Sequence, residues 1–315
     1  MKVIHLGGQT ADSNVEIPTG AVVAVGNFDA VHQGHVDLIW KARALARERK
    51  TPLAVLTFEP HPRRIFRPDD PPFRVTPLDL KVERLEKEGV EIVYVLAFDW
   101  NVAGLSAEEF IKNVIDKIKP VVLTTGEDFK FGHNRTGNLE TLQAAGYEAL
   151  VVPLKTDPQH GVISATRIRG LIQSGHIDEA SNLLGWAWVI RGKVQKGDQR
   201  GRELGFPTAN VPLNETIHPS YGVYATLVRI DDDAQWRMAA TNIGIRPMFE
   251  VKTALVEAHI LDFSGDIYGK TLEIMPIRKI RDEEKYESLD ALIAQIEKDC
   301  LEARRILAKD LEPVA

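Results

Sequence analysis

Up to about residue 184 the chain alternates short, wholly apolar runs with amphipathic stretches; beyond it, apolar and polar positions begin to alternate singly. Ala21-Val22-Val23-Ala24-Val25 carries no polar partner on either side, as a strand buried on both faces does. From His35 to Arg49, Leu38, Ile39, Ala42, Leu45 and Ala46 fall at helical spacing. Leu53 to Phe58, Ile92 to Leu96, Val121 to Leu123 and Leu150 to Val152 repeat the buried-strand pattern. Between them, Ser106-Ala107-Glu108-Glu109 has the form of a capping box and predicts a helix running to about Lys119. This alternation predicts a mainly parallel sheet with helices on both faces, which holds ligands at the carboxyl ends of its strands.

From Ala187 the predicted strands are Val189 to Val194, Val223 to Ile230, Arg237 to Ala240, Leu255 to Leu261 and Leu272 to Ile277, separated by Gly, Pro, Asn and Asp. Ser288 to Leu307 closes with a helical pattern that puts Leu289, Leu292, Ile293, Ile296, Cys300 and Ala303 on or near one face. The fold class is therefore α/β followed by β: a parallel-sheet domain at 1–184 and a compact β-barrel with a terminal helix at 185–315. The boundary falls near Leu184-Gly185-Trp186, without a flexible linker, and neither an internal repeat nor a low-complexity segment is evident.

Composition narrows the function more than the fold. With 315 residues, 44% hydrophobic and 27% charged, the chain has the balance of an ordinary globular protein with material for two cores. A net charge of −6 weighs against sequence-independent binding to nucleic acid, yet leaves room for one basic pocket. Cys300 is the single cysteine, so no intrachain disulfide can form, and a buried thiol is the expected role. The start lacks a signal-peptide core, and no apolar run nears the roughly 20 residues needed to span a bilayer. A cytoplasmic protein with no membrane partner is expected; whether it forms a homo-oligomer is left open.

The stretch Gly26-Asn27-Phe28-Asp29-Ala30-Val31-His32-Gln33-Gly34-His35 follows a strand and opens a helix. Gly26 and Gly34 let backbone approach a ligand, and His32 and His35, three apart, can share a side. A helix start adds unpaired N–H groups and partial positive charge, and imidazoles there can donate to phosphate oxygens. An isolated His-x-x-His in this setting is more often one capping and one solvated histidine. Zinc is disfavoured because no third ligand is evident nearby. Three more stretches follow in order: Thr57-Phe58-Glu59-Pro60-His61-Pro62, Gly126-Glu127-Asp128-Phe129-Lys130-Phe131-Gly132, and Ile163-Ser164-Ala165-Thr166-Arg167-Ile168-Arg169. Singly, each reads as structural: a proline turn, core phenylalanines, a serine N-cap.

Together and in this order they resemble the N-terminal adenylyltransferase module of bacterial bifunctional riboflavin kinase/FAD synthetases, within the nucleotidyltransferase superfamily. The resemblance implies a Rossmann-like domain in which FMN phosphate attacks the α-phosphorus of ATP and releases pyrophosphate, with Mg²⁺. It implies His32 and His35 at the ATP phosphates, lined by Gly26, Asn27, Phe28 and Gly34. Ser164, Thr166, Arg167 and Arg169 are implied as further phosphate contacts, and Phe58, His61, Pro62, Asp128 and Phe129 as walls of the flavin or nucleotide pocket. Ala30 stands where glycine is common, harmless if φ is negative there; Ala165 stands where a second serine is common, one hydroxyl fewer for adenylylation.

A second glycine-rich stretch runs from Lys196 to Asn210. It is not a Walker A loop, because the Gly-Lys-Ser/Thr ending is absent, and composition alone favours a β-turn. Thr208 and Asn210 offer hard oxygens suited to Mg²⁺. The string Gly205-Phe206-Pro207-Thr208-Ala209-Asn210 is similar to the signature of riboflavin kinases, whose fold is a six-stranded barrel. Gly222-Val223-Tyr224, Thr241 to Pro247, Val256 to Phe263, Asp266 to Lys270 and Arg281 to Leu292 extend the likeness over nearly all of 185–308. By that resemblance Glu257 accepts the proton of the riboflavin 5′-hydroxyl, and Thr208 and Asn210 hold Mg²⁺. Gly201, Gly205 and Pro207 line ATP, and Arg246 lies by the flavin. Met248 replaces a threonine common after Arg-Pro.

The expectation is an enzyme that phosphorylates riboflavin to FMN and adenylylates FMN to FAD, both from ATP. Its rivals are a nucleotidyltransferase for another phosphate-bearing acceptor, an aminoacyl-tRNA synthetase fragment, and a non-catalytic flavin-binding module with one dead site.

Overall fold

The computed structural model describes residues 1–8, 16–158, 161–197, 201, 204–248 and 251–308, the side chains of 246–248 and 251–253 apart. Backbone contacts divide them into two units: Met1–Pro71 with Thr76–Ala165, and Pro72–Val75 with Thr166–Ala315.

In the first unit β1 (Lys2–Leu6), β2 (Val22–Val25), β3 (Leu53–Glu59), β4 (Ile92–Ala97), β5 (Val122–Gly126) and β6 (Ala149–Val152) form one parallel sheet in the order β1-β4-β3-β2-β5-β6. The central strands are mainly apolar because both faces are covered, with Thr57, Thr124 and Thr125 as buried exceptions. Val23, Val25, Leu56 and Leu123 belong to one core, and Val22, Ala24, Val55 and Val93 to the other. From β2 the chain builds outward through β3, while β5 lies on the other side, so the switch point falls between β2 and β5.

Helix α1 (Gln33–Arg49) buries Leu38, Ile39, Ala42 and Ala46 and stops at Lys50, which is left-handed and donates its N–H to the Ala46 and Arg47 carbonyls. Helices α2 (Pro62–Phe66) and α3 (Leu78–Lys87) come between β3 and β4. The capping box at Ser106 is present, but the helix after it changes pitch: Ile111–Ile115 is a π-turn between α-helical Ala107–Phe110 and Asp116–Ile118. The wider turn lets Phe110, Ile111, Val114, Ile115 and Ile118 all reach the core. A two-residue ladder, β7 (Thr156–Asp157) with β8 (Gly161–Val162), lies outside the sheet.

In the second unit β9 (Ile190–Lys193), β10 (Ala209–Pro212), β11 (Gly222–Ile230), β12 (Arg237–Met248), β13 (Val251–Ile260) and β14 (Thr271–Arg281) form an antiparallel sheet in the order β10-β13-β12-β11-β14-β9. Its ends meet where Gln195 N–H donates to the Asn210 carbonyl at 2.8 Å, so the barrel is nearly closed. Val211, Ile243, Val256 and Ala258 are buried, and the Thr226 and Thr241 hydroxyls satisfy each other at 2.6 Å. The expected strand at Arg237 to Ala240 runs on to Met248, since Thr241 and Ile243 continue the buried positions past Asn242 and the pairing with β13 carries the strand to its end.

The closing helix spans Leu289–Leu307, capped by the Ser288 hydroxyl. It packs Ala303, Ile306, Leu307 and Cys300 on Ala225, Leu227 and Ala240. Cys300 is half-buried, and that burial pushes its thiol up to about 11. Leu289, expected on that face, is exposed, because packing is concentrated in the last turns. Buried Asp299 ties the helix to β14 through Arg281 at 2.7 Å and accepts from Gln295 at 2.9 Å. Pro72–Val75 joins this unit as a strap: Arg74 N–H donates to the Glu215 carbonyl, Ile217 N–H to the Arg74 carbonyl, and Trp188 Nε1 to the Val75 carbonyl.

Candidate active sites

Strand β2 ends at Val25, and Gly26 to His35 lead into α1 at the switch point. His32 is the N-cap of α1: its Nδ1 accepts from Gly34 N–H at 3.1 Å and His35 N–H at 3.3 Å. An Nδ1 that accepts backbone donors carries no proton, so the ring's N–H is on Nε2. The His35 ring stacks on it at 3.7 Å and meets Phe28 at 5.1 Å. The capping role, one of the two alternatives in the sequence, thus falls to Nδ1 of His32. Gly34 faces the His32 ring, where a Cβ would lie 3.1 Å away.

The loop between is strained. Phe28, Ala30 and Val31 have φ of 49°, 76° and 39°. Ala30 therefore does not adopt the negative φ that would make it harmless; it sits where glycine is favoured. What holds it there is Thr76, whose hydroxyl accepts from Ala30 N–H at 2.8 Å and donates to Asp29 at 3.2 Å. Asp29, only 2% exposed, also accepts from Thr76 N–H at 3.0 Å. The Phe28 ring is fully buried, so only its backbone can meet a phosphate.

At the end of β3, Phe58 is in edge contact with Phe98, and His61 Nδ1 accepts from Arg63 N–H to start α2 at Pro62. Beyond them Phe66 packs on Phe98 and Trp100, and both Phe66 and Trp100 are exposed, at 55% and 66%. At the end of β5, Asp128 curls back on Gly126, and Phe129 stacks on Phe131 at 5.8 Å. Ser164 precedes the helix Ala165–Ser174, which carries Thr166, Arg167 and Arg169 and belongs to the second unit from Thr166 on. Arg169 Nε donates to the Phe73 carbonyl, with its guanidinium 5.5 Å over the Phe73 ring.

In the barrel, register brings together what the sequence keeps far apart. Glu257 on β13 is directly opposite Asn210 on β10 and Asn242 on β12, so the three share one face. Asn210 is 6% exposed; its Nδ2 donates to the Thr208 carbonyl at 3.3 Å, while its Oδ1 is buried without a hydrogen-bond partner. Gly197 lies against that amide, where a Cβ would come within 2.7 Å. His259, two residues after Glu257, has its Nδ1 2.9 Å from the Pro207 carbonyl and its ring against Phe206, which fixes the Phe206-Pro207 turn beside the row. Gly201 accepts at its carbonyl from Phe206 N–H at 2.7 Å, and Gly205 is left-handed at φ 86°. The side chains of Arg246 and Met248 lie outside the described residues.

An orphaned amide oxygen beside a neutral hydroxyl residue suits Mg²⁺, which takes few protein oxygens and completes its shell with phosphate and water. Sequence reasoning quoted Thr57, Gly197 and Asn242 inside its motifs without giving them a role, and missed Thr76, Lys81 and the aromatics Phe66, Phe98 and Trp100, which only tertiary packing connects to the motifs.

The family described as FAD synthetase matches residues 14–167, and the family described as riboflavin kinase matches residues 184–307. A bifunctional riboflavin kinase/FMN adenylyltransferase of Escherichia coli (strain K12) is 38% identical, over 90% of this chain and 92% of that protein. One of Bacillus subtilis (strain 168) is 36% identical, over 90% and 92%. A crystal structure described as a macrolide-efflux protein from Streptococcus pneumoniae superposes with a TM-score of 0.85 at 34% identity, covering 96% of this chain and 99% of that one. Among the described residues no helix is long and apolar enough to cross a membrane. With both halves matched in order and relatives similar along nearly its whole length, the chain belongs to the bifunctional riboflavin kinase/FMN adenylyltransferases.

Proposed function

We infer that this chain makes FAD from riboflavin in two ATP-dependent steps, with kinase chemistry in the barrel and adenylyl transfer at the switch point of the parallel sheet. The domains are taken as 1–184 and 185–315, a boundary supported by the start of the riboflavin kinase match at 184, although Pro72–Val75 and the residues from Thr166 on group with the barrel. The observation that carries the kinase half is the pairing of Glu257 with Asn210 across β10 and β13.

In the barrel the Glu257 carboxylate accepts the proton of the riboflavin 5′-hydroxyl, whose oxygen attacks the γ-phosphorus of ATP as ADP departs. Phosphoryl transfer passes through a loose transition state, so holding the hydroxyl in line counts for more than strong basicity. Thr208 and Asn210 would hold Mg²⁺, and Gly201, Gly205 and Pro207 bring backbone to the nucleotide. When bound, the ion offsets charge on the transferring phosphoryl group. Arg246 serves the flavin.

In the first domain a phosphate oxygen of FMN attacks the α-phosphorus of ATP and pyrophosphate leaves. His32 donates from Nε2 to the phosphates, and His35, stacked on it, lies on the same side. Gly26, Asn27, Phe28 and Gly34 supply backbone at the helix start, where partial positive charge favours the anion. Ser164, Thr166, Arg167 and Arg169 serve the phosphates. Phe58, His61, Pro62, Asp128 and Phe129 wall the flavin, and the compartment is the cytoplasm.

The test is a time course of purified protein with riboflavin and Mg-ATP, separating riboflavin, FMN and FAD. FMN rising before FAD is expected. FMN alone overturns the adenylyl half, no flavin product from folded protein overturns the kinase half, and supplied FMN left unconverted as well overturns both.

A further inference from the structure

We propose, on the reading of Glu257 as the kinase base, that Glu283 recognises the sugar-alcohol chain of riboflavin. It accepts from an inner hydroxyl of that chain while Glu257 takes the proton of the terminal one. Register extends the row of Asn210, Glu257 and Asn242 to Val223 on β11 and from there to Arg281 on β14. The five positions share one face of the barrel. Two residues along β12, and so on that same face, stands Gly244, paired with Leu255. The Glu283 carboxylate fills the place that a side chain at Gly244 would need. At Gly222 the Arg281 carbonyl does the same. Bare backbone at these two positions lets the chain leaving β14 pass closely over the start of β11 and bring a carboxylate to β12, beside the base.

That carboxylate is not spent on the fold. Among the described residues Glu283 enters no ion pair and no side-chain hydrogen bond. The cations just before it are committed elsewhere, Lys279 to Asp282 at 2.5 Å and Arg281 to Asp299 at 2.7 Å. Its charge is felt by Tyr221, whose hydroxyl is pushed up first by burial and then by Glu283. Polar groups set along one face at strand spacing suit a ligand whose own polar groups repeat along a chain. A carboxylate is an acceptor only, so it pairs with O–H donors and disfavours a chain that lacks them. Two residues of strand span about 7 Å, and an O–H···O bond about 2.7 Å, which puts a hydroxyl roughly two or three carbons from the reacting one within reach.

The experiment measures kcat and KM of the kinase reaction for wild type, Glu283→Ala and Glu283→Gln in the full chain, on riboflavin and on its 2′-, 3′- and 4′-deoxy analogues. Adenylylation of supplied FMN and the melting temperature report folding. Wild type is expected to prefer riboflavin over at least one analogue by about tenfold or more in kcat/KM, the worth of a hydrogen bond to a charged group. Glu283→Ala should lose about that factor on riboflavin and little on the same analogue, so the preference disappears, while KM for ATP stays close to wild type. Glu283→Gln keeps one acceptor and should fall between. Equal losses on riboflavin and on every analogue mean a structural role and overturn the proposal. Wild-type kinetics in the folded Ala variant, or a wild type indifferent to all three analogues, overturns it too. If Glu283→Ala does not fold, Glu283→Gln decides, and an unchanged preference there overturns it. Glu257→Gln separates the two readings: riboflavin phosphorylation left intact removes the base, whereas the analogue preference judges Glu283 by itself.

Discussion

In the first unit the residues assigned to ATP phosphates at the switch point lie within one stretch, Gly26 to His35, that ends a strand and begins a helix; in the barrel the residues assigned to nucleotide, ion and base come from the glycine-rich turn before β10, from β10 and from β13. The first stretch is contorted, with three non-glycine residues at positive φ, and stays so because Thr57, Thr76 and Asp29 hold its backbone. The barrel residues need little contortion; they need closeness, which glycine supplies where an amide or carbonyl presses on the chain. A local site of this kind depends on buried props, a dispersed one on register and on missing side chains. The two fail by different substitutions.

The sharpest break is functional. Glu257→Gln is expected to lower riboflavin phosphorylation by about 10²- to 10⁴-fold, the usual worth of a general base, while supplied FMN still becomes FAD. His35→Ala should do the converse, cutting FAD formation by about 10²- to 10³-fold, as removal of a donor to developing charge does. Chromatography of flavins from each variant checks both. Loss of both activities in either folded protein would dissolve the division.

Next comes closeness. Gly197→Ala puts a methyl within 2.7 Å of both polar atoms of the Asn210 amide, so the amide must move. A displacement near 1 Å in such a group can cost up to about 10²-fold, measured as kcat/KM for riboflavin with adenylylation as control. The matching change in the strained loop should have the opposite sign. Ala30→Gly relieves roughly 1–2 kcal/mol of left-handed strain and loses a buried methyl worth about 0.8 kcal/mol. Chemical denaturation should show a gain of a few tenths to about 1 kcal/mol, with FAD formation maintained.

The smallest expected effect is on pH. Burial pushes the His218 imidazole below its ordinary range, beside the Tyr221 hydroxyl at 3.0 Å. The folded protein then binds fewer protons than the unfolded one, so this contribution is present above the ordinary histidine pKa of about 6.5 and is lost as pH falls through the lowered value. Melting temperature should decline from pH 7 toward 5, and His218→Gln should flatten the decline.

Much of the fold was legible because β2 to β6 are apolar on both faces and the helices are periodic. β1 and β10 were not, being short and broken by His5 and by Asn210. The pattern alone ends β12 too early because Asn242 and Gly244 resemble turn residues; their pairing with Glu257 and Leu255 on β13 is a tertiary fact. The histidines and Glu257 were visible as motifs, yet nothing local places Glu257 beside Asn210. The sign of φ at Ala30 also depends on Thr76, which is distant in sequence. Lys81 reads as an ordinary helix lysine until α3 is docked on the sheet.

The strap at Pro72–Val75 bears on how such a chain could be divided or inherited. Because the second unit takes its Trp188 and Ile217 hydrogen-bond acceptors from residues that interrupt the first, no single cut releases it intact. A gene trimmed to the barrel alone would have to replace that borrowed segment, as well as the helices Ala165–Ser174 and Ile177–Leu184 that group with it. A two-activity chain built this way is interlaced in its covalent order and resists later separation.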